Sequence, residues 1–421
     1  MKKIISYLIV LLIIASCTTS RKTSSTSQNN AYRRDANVMH PQFLVFHLND
    51  TISELHFKIG SKELLYMRPD GINFYTNVLI SYHLLPTYNS KEVIDSASVR
   101  LVDLNNEGTD KFLLGKIKIK AKAGHTYFLR VTVADLNRNT AVTNIIAIEK
   151  DNDLNRQNFL VKSKATDAPL FRNYLKKNEE ITINYKAKTA MRLFVRYYNR
   201  DFPVAAPPFS IADPKPFQYK QDSAFTMQLS ADGIVNFIPL KKGFYHFQID
   251  TSKREGLTLF YFSDAFPEVK KAEDMITPLR FISTQQEYDE ARLSINKKAA
   301  IEKFWLNCTG NQNRAKEMIR KYYNRVQDAN QYFTSYIEGW KTDRGMVYLI
   351  YGSPNVINKS SNSETWIYGE ENNINSLSYT FSKVNNPFTQ NDFTLERSEV
   401  YRQLWYTAVD IWRQGRTYLQ D

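Results

Sequence analysis

The residues best placed to do chemistry crowd into one stretch, Tyr336-Ile337-Glu338-Gly339-Trp340-Lys341-Thr342-Asp343-Arg344-Gly345. Two chemistries fit it. In the first, Asp343 is an acid or base working with Glu338 or with Glu364 farther along. Paired carboxylates about 5–10 Å apart run glycoside hydrolysis. In the second the stretch is a tight turn. Thr342 or Asp343 accepts hydrogen bonds from nearby backbone N–H groups, Arg344 pairs with a carboxylate, and Trp340 covers the core beside it. The turn accounts for every residue present without a substrate, so it is the expectation, with no catalytic residue assigned.

Other catalytic designs are short of residues. The six histidines, His40, His47, His56, His83, His125 and His246, all precede residue 247, and none shows HxH or HExxH spacing. They read as strand or surface residues rather than ligands. A Ser-His-Asp or Cys-His site confined to the C-terminal third is excluded, as is a typical zinc site there. GxGxxG, GxxxxGK[ST] and GxSxG are absent, and neither a cofactor nor a metal is expected. The cysteines are Cys17 and Cys308. Cys308 follows the apolar residues Ile301, Phe304, Trp305 and Leu306 and reads as a buried small hydrophobe with no disulfide partner.

The elements that must position these residues are legible as a change of period. Between residues 41 and 150 short alternating runs predominate, such as Gly115–Lys120 and Leu129–Val133 about an Ala123-Gly124 turn. Residues 151–278 echo them in Ile234–Ile238, a Lys241-Lys242-Gly243 turn and Phe244–Ile249. Two Ig-like β-sandwich domains in tandem are therefore expected. Pro203, Pro207, Pro208, Pro214 and Pro216 mark a long loop in the second, either a contact surface or a rigid connection.

Residues 279–421 form an α+β domain. Thr284-Gln285-Gln286-Glu287 is a capping box. A helix is predicted from about Asn313 to Ile337, with Ala315, Ile319, Tyr322, Val326, Ala329, Phe333 and Tyr336 down one side and Gly339 stopping it. Met346–Tyr351 reads as a strand closed by Gly352-Ser353-Pro354, with further strands at Glu364–Tyr368 and Leu377–Phe381. All five tryptophans, Trp305, Trp340, Trp366, Trp405 and Trp412, fall here.

Gly339-Trp340-Lys341-Thr342-Asp343-Arg344-Gly345, followed by Val347-Tyr348-Leu349-Ile350-Tyr351-Gly352-Ser353-Pro354, resembles the signature of GWxTD-domain proteins, which are widespread in Bacteroidota. Phe304-Trp305, Tyr322–Val326 and Val409–Arg416 are similar to that family too, so the likeness covers about residues 280–421. The resemblance implies an exported, often lipidated protein with no established enzymatic activity. A second likeness joins Val347…Tyr351-Gly352-Ser353-Pro354 and Trp366-Ile367-Tyr368 to small non-catalytic lipoproteins of outer-membrane protein assembly.

The N-terminus points to the same compartment. Lys2 and Lys3 precede an apolar run, Ile4–Ile14, which ends in Ile14-Ala15-Ser16-Cys17. That is a lipobox: residues 1–16 are a signal peptide and Cys17 is the acylated, palmitate-bearing first residue of the mature chain. The apolar run is too short to span a bilayer, which takes roughly 20 residues. Residues 17–40, rich in Ser, Thr and Asn, read as a flexible tether. Thr18 in place of aspartate, and no acidic cluster after Cys17, imply by resemblance an outer-membrane anchor with the body in the periplasm. The net charge of +13 falls to +11 without Lys2 and Lys3 and is spread along the chain. It reads as a solvated basic surface rather than a nucleic-acid site.

The expectation is a non-enzymatic, lipid-anchored interaction subunit with a protein partner in an outer-membrane assembly or secretion complex. Gly339, Trp340, Thr342, Asp343, Arg344, Gly345, Gly352 and Pro354 form its structural knot, and exposed Tyr348 and Tyr351 its contacts. A glycan-binding or carbohydrate-active lipoprotein is the alternative.

Overall fold

The computed structural model describes residues 26–27, 32, 38–211 and 218–418. The expected signal peptide, Cys17, Pro214 and Pro216 lie outside the described residues. Strand β1 (Thr26–Ser27) precedes two sandwiches. The first holds β2 (Gln42–His47), β3 (Ile52–Gly60), β4 (Tyr75–Leu85), β5 (Asp95–Leu104), β6 (Phe112–Lys120), β7 (Thr126–Asp135) and β8 (Thr140–Glu149). The second holds β9 (Phe159–Ser163), β10 (Ile181–Tyr185), β11 (Arg192–Tyr198), β12 (Ser223–Gln228), β13 (Ile234–Phe237), β14 (Gly243–Gln248) and β15 (Leu257–Tyr261).

The sheets are β2-β3-β6 over β5-β4-β7-β8, then β9-β10-β13 over β12-β11-β14-β15. Counted within each unit, both read first-second-fifth over fourth-third-sixth-seventh. The second sandwich therefore repeats the topology of the first, and the faint echo in the sequence is a duplicated three-on-four Ig-like fold. Alternation explains the burial: Ile117 and Ile119 of β6 face the core while Lys116, Lys118 and Lys120 face out.

Each sandwich buries a histidine. His47 Nδ1 lies 2.9 Å from Ser53 Oγ and its Nε2 3.2 Å from the Glu149 carbonyl. His246 contacts Thr258 Oγ1 at 2.8 Å and the Arg254 carbonyl at 2.9 Å. Burial lowers both to about 4. Between pH 6.5 and 4 the unfolded chain therefore binds protons that the folded chain refuses, so stability rises with pH through that window. The sandwiches should lose thermal stability steadily as pH falls from 6.5 to 4, as a pH series of calorimetric melts would record; flat melting temperatures across it would refute this.

The C-terminal region carries six helices: α1 (Ala272–Ile276), α2 (Gln285–Leu293), α3 (Lys297–Thr309), α4 (Gln312–Phe333), α5 (Asp343–Tyr351) and α6 (Tyr401–Arg413). They pack on an antiparallel sheet ordered β1, β16 (Val356–Lys359), β17 (Ser363–Tyr368), β18 (Leu377–Lys383), β19 (Phe393–Leu395). The Thr284–Glu287 capping box is present at the start of α2. Trp305, Trp366 and Trp412 are fully buried in one core with Tyr322, Tyr351 and Tyr379. Cys308 is half-buried at its margin rather than buried.

Three expectations about the elements themselves are also corrected. The helix α4 stops at Phe333, not Ile337, because Thr334 takes extended dihedrals and turns its hydroxyl back to the Asn330 carbonyl. Met346–Tyr351 is helical, not a strand. Residues 344–351 are all buried, and an apolar run with no exposed face has no period to read. Finally, residues 17–40 are not a free tether throughout. Thr26 and Ser27 pair with Lys359 and Asn358, and Tyr32 is buried in the C-terminal core.

Two aromatic joints connect the units. Leu44 and Phe46 of the first sandwich meet Leu160 and Phe171 of the second. Tyr198, Phe244 and Phe260 of the second close on Phe388 of the C-terminal region.

Candidate functional site

Thr342 caps α5, its Oγ1 accepting from Gly345 N–H at 3.0 Å and donating to the Gly339 carbonyl at 2.7 Å. This is the local turn chemistry expected of that threonine. Gly339 N–H donates to Thr334 Oγ1 at 3.2 Å, and Trp340 N–H to Asn330 Oδ1 at 3.3 Å, so the turn lies flush on α4. Trp340 is buried and meets Phe281 edge-on. Gly352 closes α5 with φ of 81°, and Pro354 is buried just beyond it.

Each candidate acid has its own cation. Glu338 pairs with Lys341, three residues on. Asp343 accepts from Leu395 N–H at 2.8 Å and pairs with Arg397, whose Nη1 is 3.1 Å away. Arg344 turns to Glu364, with Nη1 3.3 Å from Oε1 and Nη2 donating to the Asn391 carbonyl at 3.0 Å. Its guanidinium also stacks over Phe393, 4.0 Å from the ring centre. The knot is thus two ion pairs made by adjacent residues, whose side chains leave the helix about 100° apart and so reach different partners.

Glu364 is the electrostatic centre. It alternates inward with Trp366 and Tyr368 on β17. Its carboxylate receives the Tyr32 hydroxyl at 3.1 Å and Trp366 Nε1 at 3.1 Å, with Lys359 Nζ at 3.5 Å. Burial acts to raise its pKa, but Lys359 and Arg344 outweigh it and hold the carboxyl down at about 2. A carboxyl held there is ionised at neutral pH. Burial and the Glu364 charge raise the Tyr32 hydroxyl in turn. Because the folded carboxyl titrates near 2 and the unfolded one near its ordinary value of 4.5, its stabilisation is complete above pH 4.5 and lost as pH falls towards 2.

Tyr32 is therefore a plug. Its ring packs on Phe333 and Trp366, and its carbonyl accepts from the Tyr348 hydroxyl at 3.0 Å. Tyr348 and Tyr351, expected as exposed contacts, are buried; Tyr348 holds this plug and Tyr351 packs against Tyr368 and Tyr379. Tyr32→Phe removes one buried donor to a charged acceptor and should cost about 1–3 kcal/mol in chemical denaturation. No loss would show that the hydroxyl is dispensable to Glu364.

The proline loop closes the site from the second sandwich. Ala205 N–H donates to the Lys341 carbonyl at 2.8 Å, Arg397 Nη2 to the Ala206 carbonyl at 3.1 Å, and Ser398 N–H to the Pro208 carbonyl at 3.0 Å. The loop is thus pinned to the residues around the motif by three hydrogen bonds within the chain.

Residues 243–414 match the GWxTD domain. The match begins at β14, so the GWxTD domain takes in the last hairpin of the second sandwich as well as the helical region. No curated protein matches the chain. Among the described residues no cluster of three His, Cys, Asp or Glu side chains is arranged to hold a metal, and no helix is long and apolar enough to cross a membrane.

Sequence reading missed Tyr32, Asn330, Asn391 and Arg397, and also Arg325, which is buried beneath α5 and donates to the carbonyls of Leu349 at 3.2 Å and Ile350 at 3.1 Å. Their partners are remote in sequence, and no local pattern announces them. Arg325 sat inside the family-like Tyr322–Val326 segment, the one available signal.

Proposed function

We propose that the chain is an outer-membrane lipoprotein of Bacteroidota type, anchored through Cys17 with its body in the periplasm, and that it serves as a non-enzymatic interaction subunit of an assembly or secretion complex. The GWxTD motif fits this role as a clamp: its side chains draw the N-terminal segment, the proline loop and the last strand onto one core. Eight residues separate Cys17 from Thr26, a reach of at most about 30 Å, so the GWxTD domain would ride close to the bilayer.

The observation that carries the partner is an apolar end of the first sandwich. Val102 and Leu104 are 63% and 59% exposed on the edge strand β5, and Ile72 and Phe74 are exposed in the adjoining loop. Exposed apolar groups collected at one end of a rigid body mark an interaction surface.

The test is affinity capture of a C-terminally tagged chain from gently solubilised outer membranes. A barrel or assembly factor should co-purify stoichiometrically and fall at least about tenfold with Val102→Asp/Leu104→Asp, given that core interface anchors contribute 2 kcal/mol or more each. Recovery of the chain alone would overturn the proposal. Cys17→Ala should release the protein from the membrane fraction; persistence there would refute the anchor.

A further inference from the structure

Strand β5, which carries the exposed Val102 and Leu104, is the outer strand of its sheet. Just beyond its ladder with β4, Asn105 N–H donates to the Phe74 carbonyl at 3.0 Å. Bonded pairs alternate along an antiparallel ladder, so Asp95, Ala97, Val99, Leu101 and Asp103 direct their backbone groups to β4. Ser96, Ser98, Arg100, Val102 and Leu104 turn theirs outward, where no strand pairs with them among the described residues. Of that row only the Leu104 carbonyl is taken, by Lys111 Nζ at 2.9 Å.

Other outer strands are closed by side chains. On β6 the Lys118 carbonyl accepts from the Tyr82 hydroxyl at 2.9 Å, and Lys120 N–H donates to Asp95 at 2.7 Å. On β8 Gln157 takes the Ala147 carbonyl at 2.7 Å and Glu149 N–H at 2.9 Å. The counterpart of β5 in the second sandwich, β12, has six residues against ten. A long outer strand left open is a template for another strand.

The inner side of β5 is incomplete as well. Ala97, Val99 and Leu101 pack on the core of the first sandwich yet are only half-buried, whereas Ile80 and Val133 farther into the sheet are fully buried. Its charge is unbalanced. Asp95 accepts from the Tyr82 hydroxyl at 2.6 Å, and Asp103 pairs with Lys111 at 2.9 Å. Arg100 bonds the neutral Asn77 Oδ1 at 2.9 Å and meets no carboxylate among the described residues.

We propose that β5 receives an added strand, an extended segment of the partner protein. Its backbone would pair with the outward row, its inward side chains would cover Val99 and Leu101, and its outward ones would set apolar groups beside Val102 and Leu104 and a carboxylate beside Arg100. This rests on the reading that the apolar end docks the partner, and it states how.

The experiment is titration of the full mature chain with the capped peptide Leu-Val-Leu-Val-Glu-Val-Thr-Val on a polyethylene glycol tail. The same peptide with lysine for glutamate should bind at least tenfold more weakly, and one N-methylated at the amides that face β5 should not bind. Binding should slow amide exchange at Ser96, Ser98, Arg100 and Val102 several-fold. Ser98→Pro removes an N–H that β4 does not use, so it should leave the melting temperature nearly unchanged and weaken binding at least tenfold. Thr226→Pro, on β12, should leave binding unchanged. No binding, equal binding of the N-methylated peptide, or full binding by Ser98→Pro would overturn the proposal. The titration contains no membrane partner and is decided apart from the capture experiment. Capture lost to Val102→Asp/Leu104→Asp but kept by Ser98→Pro would overturn strand addition and leave the apolar surface standing.

Discussion

Glu364→Ala should destabilise the GWxTD domain by about 3–5 kcal/mol, the usual consequence of removing one partner from a buried ion pair. The reason lies in what is left behind. Arg344, with a side chain only 3% exposed, is left without its carboxylate, and Lys359 Nζ loses the same group at 3.5 Å. The Tyr32 hydroxyl and Trp366 Nε1 lose their acceptor at the same time. Glu364→Gln keeps the shape and an acceptor oxygen but not the charge, and should fall between the alanine variant and the native chain. All five tryptophans lie in residues 305–412, so their fluorescence in a denaturant titration reports this region apart from the sandwiches. That separation matters because a three-unit chain need not unfold in one step. A loss below about 1 kcal/mol for the alanine variant would mean that the four donors find other partners, and Glu364 would cease to be the centre of the knot.

How much of this was legible depended on the range over which each residue acts. Lys116–Lys120 and Leu129–Val133 alternate because each side chain answers to one face of one sheet, and the strands lie where the alternation puts them. The Thr284 capping box and the Thr342 cap are likewise local, closing within three residues. Met346–Tyr351 failed for the opposite reason: buried on every side, it carries no contrast between faces. The ion pairs of the knot are not legible as pairings, although Asp343, Arg344 and Glu364, three of their four members, stand out in the sequence. Asp343 and Arg344 were singled out as functional neighbours, yet Asp343 reaches Arg397 and Arg344 reaches Glu364, and nothing in a one-dimensional pattern selects those mates. Tyr32 is the extreme case. It sits in a stretch of Ser, Thr, Asn and Arg that reads as a tether, and only the pocket formed by Phe333, Trp366 and Glu364 gives it a structural role.

The glycines of the motif are where sequence and packing agree most closely, and they give the second large effect. An added Cβ on Gly339 would stand 1.8 Å from the Ala329 carbonyl oxygen of α4, and one on Gly345 would stand 1.9 Å from the Gly339 carbonyl oxygen. Both obstacles are backbone, so neither can swing aside as a side chain would. Gly339→Ala must lift the turn off α4, breaking the bonds from Gly339 N–H to Thr334 and from Trp340 N–H to Asn330. Gly345→Ala must open the first turn of α5 against the same turn, and with it the Thr342 cap. Overpacking ordinarily costs about 1–3 kcal/mol; with lost hydrogen bonds added, each variant should lose about 3 kcal/mol or more. The double variant should lose much less than the sum, because one displacement of the turn relieves both clashes. Fully additive losses would show instead that the two glycines serve separate contacts. A loss confined to tryptophan fluorescence, with the melting of the sandwiches unchanged, would place the damage in the GWxTD domain. That is where the spacing Gly-Trp-x-Thr-Asp-Arg-Gly becomes necessary: glycines where backbone meets backbone, threonine to start the helix, and two opposite charges that bind its first turn to Glu364 of β17 and to Leu395 and Arg397 at the end of β19.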